Sequence, residues 1–321
     1  MRAFVTGGSG LVGQRLITAL RSRSDTVVAL ARSEQAAKKI QDVGAEPVYG
    51  ELDASDVLTT AIHGCDVVFH CAAILNFSAP VAEQERVNVQ GTRAVLEASQ
   101  QAGVSRFAFV SAASILATTK PLVDADETWP VPRHSIGTYS RTKAEAEQLV
   151  LAANTPTFTT VAVRPPLVWG ALGTGTFASF VETARKGRFL WFDQGRYPYA
   201  TCHMDNVIEG MLLAAEKGRG GQAYFLTDGP SVIFRDFATA LLQTQHVNPG
   251  TRSIPHTVVM TLAGILEDAW SLLHLRGVSP LTREAVALVG PFTISDIKAR
   301  QELGYTSAVS REQGLLMLSK D

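Results

Sequence analysis

The chain has 321 residues, a formal net charge of -1 and no dense run of Lys or Arg, which argues against a nucleic acid or an anionic membrane as partner and leaves a small molecule. Its length suffices for one large core or two smaller ones. Cys65, Cys71 and Cys202 are odd in number and form no C-x-x-C, against both a disulfide framework and a zinc site and in favour of a reducing compartment.

Met1 leads directly into an apolar strand, Ala3 to Thr6, with no basic segment followed by an apolar one before it, so a cytoplasmic protein is expected. The strand runs into TGGSGLVG, residues 6 to 13. Gly7, Gly10 and Gly13 there allow a tight turn, close approach of backbone to a pyrophosphate, and close packing of the following helix. The amides of Ser9, Leu11 and Val12 complete a helix N-terminus that faces phosphate charge. The second strand, Thr26 to Ala31, is followed by Arg32 where an NAD-selective site offers an acid. A guanidinium suits a 2'-phosphate, so NADP is the expected cofactor, with NAD the alternative.

Glu51 and Leu52, in YGELDASD, fall at the end of a third strand, where a carboxylate and a backbone amide can hold an adenine. The fourth strand, Val67 to His70, gives way to Cys71, Ala72 and Ala73, small enough for backbone to lie against the cofactor. A fifth strand, Phe107 to Val110, precedes a long stretch from Ser111 to Thr138 with no periodic pattern, a length that is functional or disordered when it carries no structure. A further strand covers Val161 to Arg164. Helical patterns between the strands predict an α/β fold: a Rossmann-type doubly wound parallel sheet covered on both faces, with ligands at the carboxyl ends of its strands.

Beyond Gly170 helical patterns dominate, at Phe177 to Lys186, Asn206 to Lys217, Phe234 to Gln243 and His256 to Leu275. The expected division is a dinucleotide-binding domain over residues 1–169, with 203–227 returning to it, and a smaller, mainly helical substrate-binding lobe over 170–321. The apolar stretch TVVMTLAGILEDAWSLLHL is interrupted by Glu267 and Asp268, which rules it out as a membrane span and suits a core or lid helix over an apolar pocket.

Tyr139 and Lys143 stand four residues apart in YSRTK, one above the other on a helix. A free phenol, with a pKa of about 10, is a poor acid or base at neutral pH, and a neighbouring ammonium lowers that pKa by favouring phenolate. Beside a dinucleotide loop, the pair predicts proton transfer coupled to hydride transfer.

TGGSGLVG, HCAA, VNVQGTRAVLEAS, YSRTK, RPPLVWG and CHMDNVIEGMLLA occur in the order and spacing of the extended short-chain dehydrogenase/reductase superfamily, which the chain resembles over nearly its whole length. FLTDGPSVIFRDF, LRGVSPLTRE and DIKARQELGY look most like its 3β-hydroxysteroid dehydrogenase branch and the bacterial ketone reductases related to it. The resemblance implies that Tyr139 is the catalytic acid/base and Lys143 its electrostatic partner, also bonding the nicotinamide ribose. It implies further that Pro165, Pro166, Leu167 and Val168 hold the carboxamide, that Asn88 braces the site, and that His203 and Asp205 are structural or pocket-edge residues. It is compatible with a homodimer.

One position departs from the family pattern. The fifth strand ordinarily ends in two hydroxyl residues, and the alignment puts Ser111 at the first and Ala112 at the second. If the extended backbone continues, strand alternation brings Ser114 to the face of Ala112, making Ser114 the expected substitute donor. The substrate pocket is expected to draw on Ile74, Asn76, Phe77, Trp169, Phe177, Phe180 and Trp191, a set without the arginine cluster of a nucleotide-sugar site. The expected function is NADP(H)-dependent interconversion of a secondary alcohol and a ketone on an apolar skeleton, sterol-like, terpenoid or long-chain. Two alternatives stay open: a sugar-nucleotide epimerase or dehydratase with a tightly held cofactor, and an NADP-binding sensor weakened in catalysis by Ala112.

Overall fold

A strand covered on both faces has no solvent side, so it carries apolar residues at successive positions, and the first two strands do so. Ala3 and Val5 face one layer of helices and Phe4 the other, as do Val27, Ala29 and Ala31 against Val28 and Leu30. The computed structural model describes residues 1–77, 79–170, 175–273, 275 and 279–320. Its strands are β1 (Arg2–Thr6), β2 (Thr26–Ala31), β3 (Glu46–Tyr49), β4 (Val67–His70), β5 (Arg106–Val110), β6 (Leu122–Ala125), β7 (Thr159–Arg164) and β8 (Leu167–Trp169), then β9 (Trp191–Phe192), β10 (Pro198–Tyr199), β11 (Thr201–His203), β12 (Gln222–Phe225), β13 (Val232–Ile233), β14 (Ser253–Ile254) and β15 (Phe292–Ile294).

Seven of these form one sheet in the order β12-β7-β5-β4-β1-β2-β3, every neighbouring pair parallel. The chain leaves β1 towards β2 and β3, then returns to β4 on its other side. That reversal opens a crevice at the carboxyl ends of β1 and β4, where doubly wound sheets bind their ligands. The helices are α1 (Leu11–Ser22), α2 (Glu34–Asp42), α3 (Ser55–Ile62), α4 (Val81–Gln84), α5 (Gly91–Gln101), α6 (Thr138–Ala152), α7 (Gly175–Arg185), α8 (Met204–Lys217), α9 (Phe234–Gln243), α10 (His256–Leu272), α11 (Arg283–Ala287), α12 (Ile297–Leu303) and α13 (Arg311–Leu318). Side chains of α1, α2, α8 and α12 fill one face of the sheet, and those of α3, α5 and α6 the other.

The unpatterned stretch after β5 is not structureless. It opens with a short 3-10 turn, Ala113–Leu116, and contributes β6, which pairs in parallel with β15 far along the chain. Asp124, at φ 50, breaks the alternation: Leu122 and Ala125 are buried while the two residues between them are exposed. Strand periodicity is absent from the sequence because the pairing is irregular. With β13 and β10, these strands make a four-stranded sheet, so the C-terminal half adds sheet to its helices.

One buried carboxylate joins this half to the large sheet. Asp228, three residues after β12, accepts from Trp169 Nε1 (2.7 Å), Thr201 Oγ1 (2.8 Å), the amide of His203 (2.6 Å) and Asn206 Nδ2 (2.7 Å), and Arg311 Nε lies 3.9 Å away. It therefore fixes β8, β11, the start of α8 and the start of α13 together. Truncating one member of a buried, fully bonded charge cluster leaves its partners unpaired. Asp228→Ala is predicted to cost about 3 to 5 kcal/mol in urea unfolding, and a loss below about 1 kcal/mol would show that these donors find other acceptors.

Candidate active site

The glycine loop lies in the crevice. Gly7 has φ +70, and a Cβ there would stand 2.7 Å from the amide nitrogen of Ala72. At Gly13 a Cβ would overlap the carbonyl oxygen of Gly7. These two glycines thus serve the turn and the packing of α1 on it. Gly10 has an open side, its nearest neighbour to a Cβ being Gly7 O at 3.3 Å. As N-cap of α1 it supplies no side chain to the first-turn amides, and that turn holds no acidic residue. Uncapped amides beside a glycine with room in front of it fit a pyrophosphate. Ser9, Leu11 and Val12 belong to the same turn.

Arg32 is exposed just past β2 and makes no ion pair among the described residues, while Ser33 beside it caps α2. Glu51 is exposed two residues beyond the end of β3, so it lies in the loop and not on the strand, and Leu52 packs against Gly91. Cys71 follows β4, its amide bonded to Thr6 O at 3.2 Å and its thiol pushed up to about 12 by burial. Ala72 and Ala73 continue the loop beside Gly7. Pro165 and Pro166 turn the chain after β7, whereas Leu167 and Val168, expected in that turn, are paired in β8 with Thr201 and Cys202. His203 Nδ1 accepts from the amide of Asp205 at the start of α8, and Asp205 ion-pairs with Arg15 of α1.

Behind the loop runs a buried hydrogen-bond chain. The Ala72 amide donates to Thr6 Oγ1 (3.3 Å), which lies 2.6 Å from His70 Nδ1. His70 Nε2 lies 2.9 Å from Thr92 Oγ1, and Thr92 donates to the Asn88 carbonyl (2.6 Å). Because the threonine at each end spends its proton in one direction, every proton is placed only if His70 is neutral and protonated on Nε2. Asn88, in a π-helical turn between α4 and α5, continues the chain: its Oδ1 takes the Ile74 amide (2.8 Å) and its Nδ2 donates to Thr142 Oγ1 (3.0 Å) on α6. Glycine loop, Cys71-to-Phe77 loop and α6 are thereby held by one continuous network.

Tyr139, Lys143 and Glu147 follow one another at single-turn spacing along α6, all buried. Lys143 donates from Nζ to Val110 O (2.6 Å) over the Phe109 ring at 4.0 Å. Burial lowers its pKa to about 7, against the carboxylate of Glu147, which raises it. Glu147 in turn takes both Nε (2.9 Å) and Nη2 (2.5 Å) of the buried Arg164 at the end of β7. The expected lowering of the phenol pKa is reversed here: burial, then the charge of Glu284, raise Tyr139 above its ordinary value. The Lys143 side chain is directed at the sheet, and burial disfavours phenolate, so the neutral phenol is favoured.

After β5, Ala112 is extended (φ -155, ψ 145), but the backbone then enters the 3-10 turn, so strand alternation does not carry through to Ser114. What places Ser114 is that turn, which packs on α6. Its Oγ is buried without a hydrogen-bond partner among the described residues, as is that of Ser111. A hydroxyl in this state has a proton to offer.

Of the expected pocket residues, Phe77 meets the phenol ring of Tyr139 edge-on at 5.5 Å, and Ile74 is held by Asn88. Asn76 is exposed in the same loop. Trp191 and Phe180 do not join them. They pack with Phe189 and Phe234 in the core of the C-terminal half, with Trp191 bonded to Gly250 O. Trp169 is buried against Phe237 and His203 and bonded to Asp228. The side chain of Phe177 lies outside the described residues. Aromatic composition does not separate pocket from core. Sequence reasoning also missed what Thr6, Thr92, Thr142 and Glu284 bond to: each lies inside a motif named above, TGGSGLVG, VNVQGTRAVLEAS, YSRTK and LRGVSPLTRE, but the motif does not show the partner.

Residues 4–256 match the 3-beta hydroxysteroid dehydrogenase/isomerase family. The chain belongs to this family. It is 47% identical, over 98% of its length and 95% of the other, to the 4-hydroxy-2-methyl-3-oxo-4-farnesyl-3,4-dihydroquinoline-1-oxide ketoreductase of Stigmatella aurantiaca. It is 34% identical, over 97% and 98% of the two chains, to a decarboxylating sterol-4-alpha-carboxylate 3-dehydrogenase of Dictyostelium discoideum. Among solved structures, that of gox2253 superposes with a TM-score of 0.80 at 27% identity, over 98% and 95% of the chains. The family member described here is an NAD(P)-dependent oxidoreductase of the extended short-chain type. No helix among its described residues is long and apolar enough to cross a membrane.

Burial, and secondarily the charge of Lys143, lower the pKa of His70 from 6.5 to about 3. Between those values the unfolded enzyme binds a proton that the folded one does not. This contribution to stability is therefore complete above pH 6.5 and is lost progressively as pH falls towards 3, by up to about 1.4 kcal/mol per pH unit. The stability of a His70→Gln variant should fall less steeply over this range, as measured by urea unfolding at several pH values. Parallel curves would mean that His70 is protonated in the folded enzyme.

Proposed function

We propose that this enzyme interconverts a ketone and a secondary alcohol on an apolar skeleton, sterol-like, terpenoid or long-chain, with NADP(H), using Tyr139 as proton donor and acceptor and Lys143 as its electrostatic partner. The observation that carries this reading is the buried face of α6, where a neutral phenol stands one turn from an amine and meets the apolar ring of Phe77 edge-on. The Stigmatella relative is named for a ketoreductase whose substrate bears a farnesyl group, and the Dictyostelium relative for a sterol carboxylate dehydrogenase. Both names fit an apolar skeleton.

The cofactor would be held by the loop from Gly7 to Gly13, Arg32 at the 2'-phosphate, Glu51 and Leu52 at the adenine, Cys71 to Ala73 along its edge, and Pro165 to Val168 at the carboxamide. When bound, a nicotinamide supplies or accepts the hydride. The chain's own residues manage the oxygen. In reduction the proton on Tyr139 Oη passes to the carbonyl oxygen, and the charge left on the phenol is favoured by the Lys143 ammonium. Ser114, whose hydroxyl proton has no other acceptor, donates to the same oxygen in place of the missing serine at Ala112. The C-terminal lobe encloses the apolar part of the substrate.

With NADPH and a panel of apolar ketones, Tyr139→Phe should abolish turnover, and Ser114→Ala should lower it on the order of 100 to 1000-fold, the usual loss for one oxyanion donor. Full activity in Tyr139→Phe sinks the assignment of the acid, and full activity in Ser114→Ala removes Ser114 from the site. Cofactor choice tests Arg32 separately: Arg32→Asp is predicted to weaken NADP much more than NAD in direct binding, whereas equal weakening would show that Arg32 does not read the 2'-phosphate.

A further inference from the structure

Helix α6 starts on a residue that cannot cap it. Its N-cap is Gly137, in extended backbone (φ -167, ψ -178) and without a side-chain acceptor for the first-turn amides. An N-cap side chain ordinarily accepts from the second or third residue of the helix, here Tyr139 and Ser140. Both amides are instead taken by Glu284 of α11, from Ser140 at 2.6 Å and from Tyr139 at 3.2 Å. The carboxylate is 3% exposed. It stands where the side chain of a local cap would be, for a Cβ on Gly137 would overlap Glu284 Oε2. The chain has a bare glycine at the helix start and a carboxylate delivered to that point from another part of the sequence. Negative charge there also complements the helix dipole.

Glu284 is itself held in place. Thr282 caps α11 through the Ala285 amide at 3.1 Å. The neighbouring Arg283 donates to Glu267 (2.9 Å) and Asp268 (2.9 Å) on α10, and its amide bonds Glu267 Oε1 at 3.1 Å. A line of contacts thus runs from α10 through Arg283 and Glu284 to the backbone of the residue that carries the phenol. The two charges that interrupt the apolar run of α10 are the ones that anchor it.

From this geometry we infer that Glu284 is a positioning residue for Tyr139: the C-terminal lobe completes the N-terminus of the catalytic helix and so sets where the phenol stands relative to the substrate oxygen. The inference rests on the proposed role of Tyr139 as proton donor. Ordering of α10 and α11 around an apolar substrate then acts on the proton donor directly, and loss of the cap appears in turnover more than in cofactor binding, because the glycine loop is held through His70 and Asn88 from Thr142, bonds that do not involve Glu284.

The test uses the full-length enzyme and the variants Glu284→Ala, which removes both acceptor oxygens, and Glu284→Gln, which keeps one. Three readouts are taken below the melting temperature: steady-state reduction of an apolar ketone, NADPH affinity by titration, and amide exchange of the peptide spanning the start of α6. Glu284→Ala should lower kcat on the order of 10 to 100-fold, the scale of a misplaced reacting group, with NADPH affinity unchanged and faster exchange at Tyr139 and Ser140. Glu284→Gln should recover most of kcat and of the exchange protection. Unchanged exchange in Glu284→Ala would overturn the inference, as would unchanged kcat, a parallel loss of NADPH affinity, or no recovery in Glu284→Gln. A wild-type enzyme inert towards every ketone would sink the oxidoreductase reading on ketones, and the exchange result would still decide whether Glu284 holds the helix.

Discussion

The architecture turns on the cost of burying polar side chains on the inner face of α6. Tyr139, Lys143 and Glu147 are all shielded from water, and neither the two charged side chains nor the buried amides of the helix start could remain so without partners, since an unpaired buried polar group costs several kcal/mol and an unpaired charge more. Each of these is provided for by a different element. Glu284 takes the amides at the helix start, the carbonyl of Val110 at the end of β5 takes the ammonium, and Arg164 at the end of β7 takes Glu147. The helix is therefore registered against the carboxyl ends of two strands and against the C-terminal half at once. Its apolar side, through Ala146 and Val150, is ordinary core.

The same constraint reaches the glycine loop by another route. Thr142 on α6 receives Asn88, and through Thr92, His70 and Thr6 the bonding continues to the backbone that abuts Gly7. A histidine that must stay neutral to satisfy both threonines makes the link specific. The glycine loop and Tyr139, which belong to distant parts of the sequence, are in this way held in one frame at the switch point of the sheet. Preorganisation of this kind fits chemistry in which a proton and a hydride move at adjoining atoms, since small displacements of reacting groups are costly in rate.

Much of this could be read from the chain. The parallel sheet followed from apolar runs without a polar alternate, the tight turn into α1 from glycines after the first strand, and the shared face of Tyr139 and Lys143 from their one-turn spacing. What escaped had a physical reason in each case. Pairing of β6 with β15 is invisible because Asp124 interrupts the period. Local sequence does not tell the surroundings of Trp169, Phe180 and Trp191 from those of Phe77, because a large aromatic side chain suits a core and a ligand site equally; the first three pack in the C-terminal half and Phe77 stands at the phenol. The direction of the Tyr139 shift could not be foreseen from its neighbour in sequence, because it depends on burial and on Glu284, 145 residues away. Gly137, at the N-cap position two residues before Tyr139, is the local sign that the helix start is capped from elsewhere.

The central claim is that the buried phenol and ammonium of α6 serve a carbonyl reduction in which the chain supplies the proton. The most direct measurement is transfer of label from NADPH deuterated at either face of the nicotinamide to an apolar ketone, followed by mass spectrometry of the product. The account predicts an alcohol carrying one deuterium at the carbinol carbon from one of the two labelled cofactors, with oxidised cofactor formed in equal amount. Product formed without deuterium from either, or oxidised cofactor retained and not turned over, would contradict it.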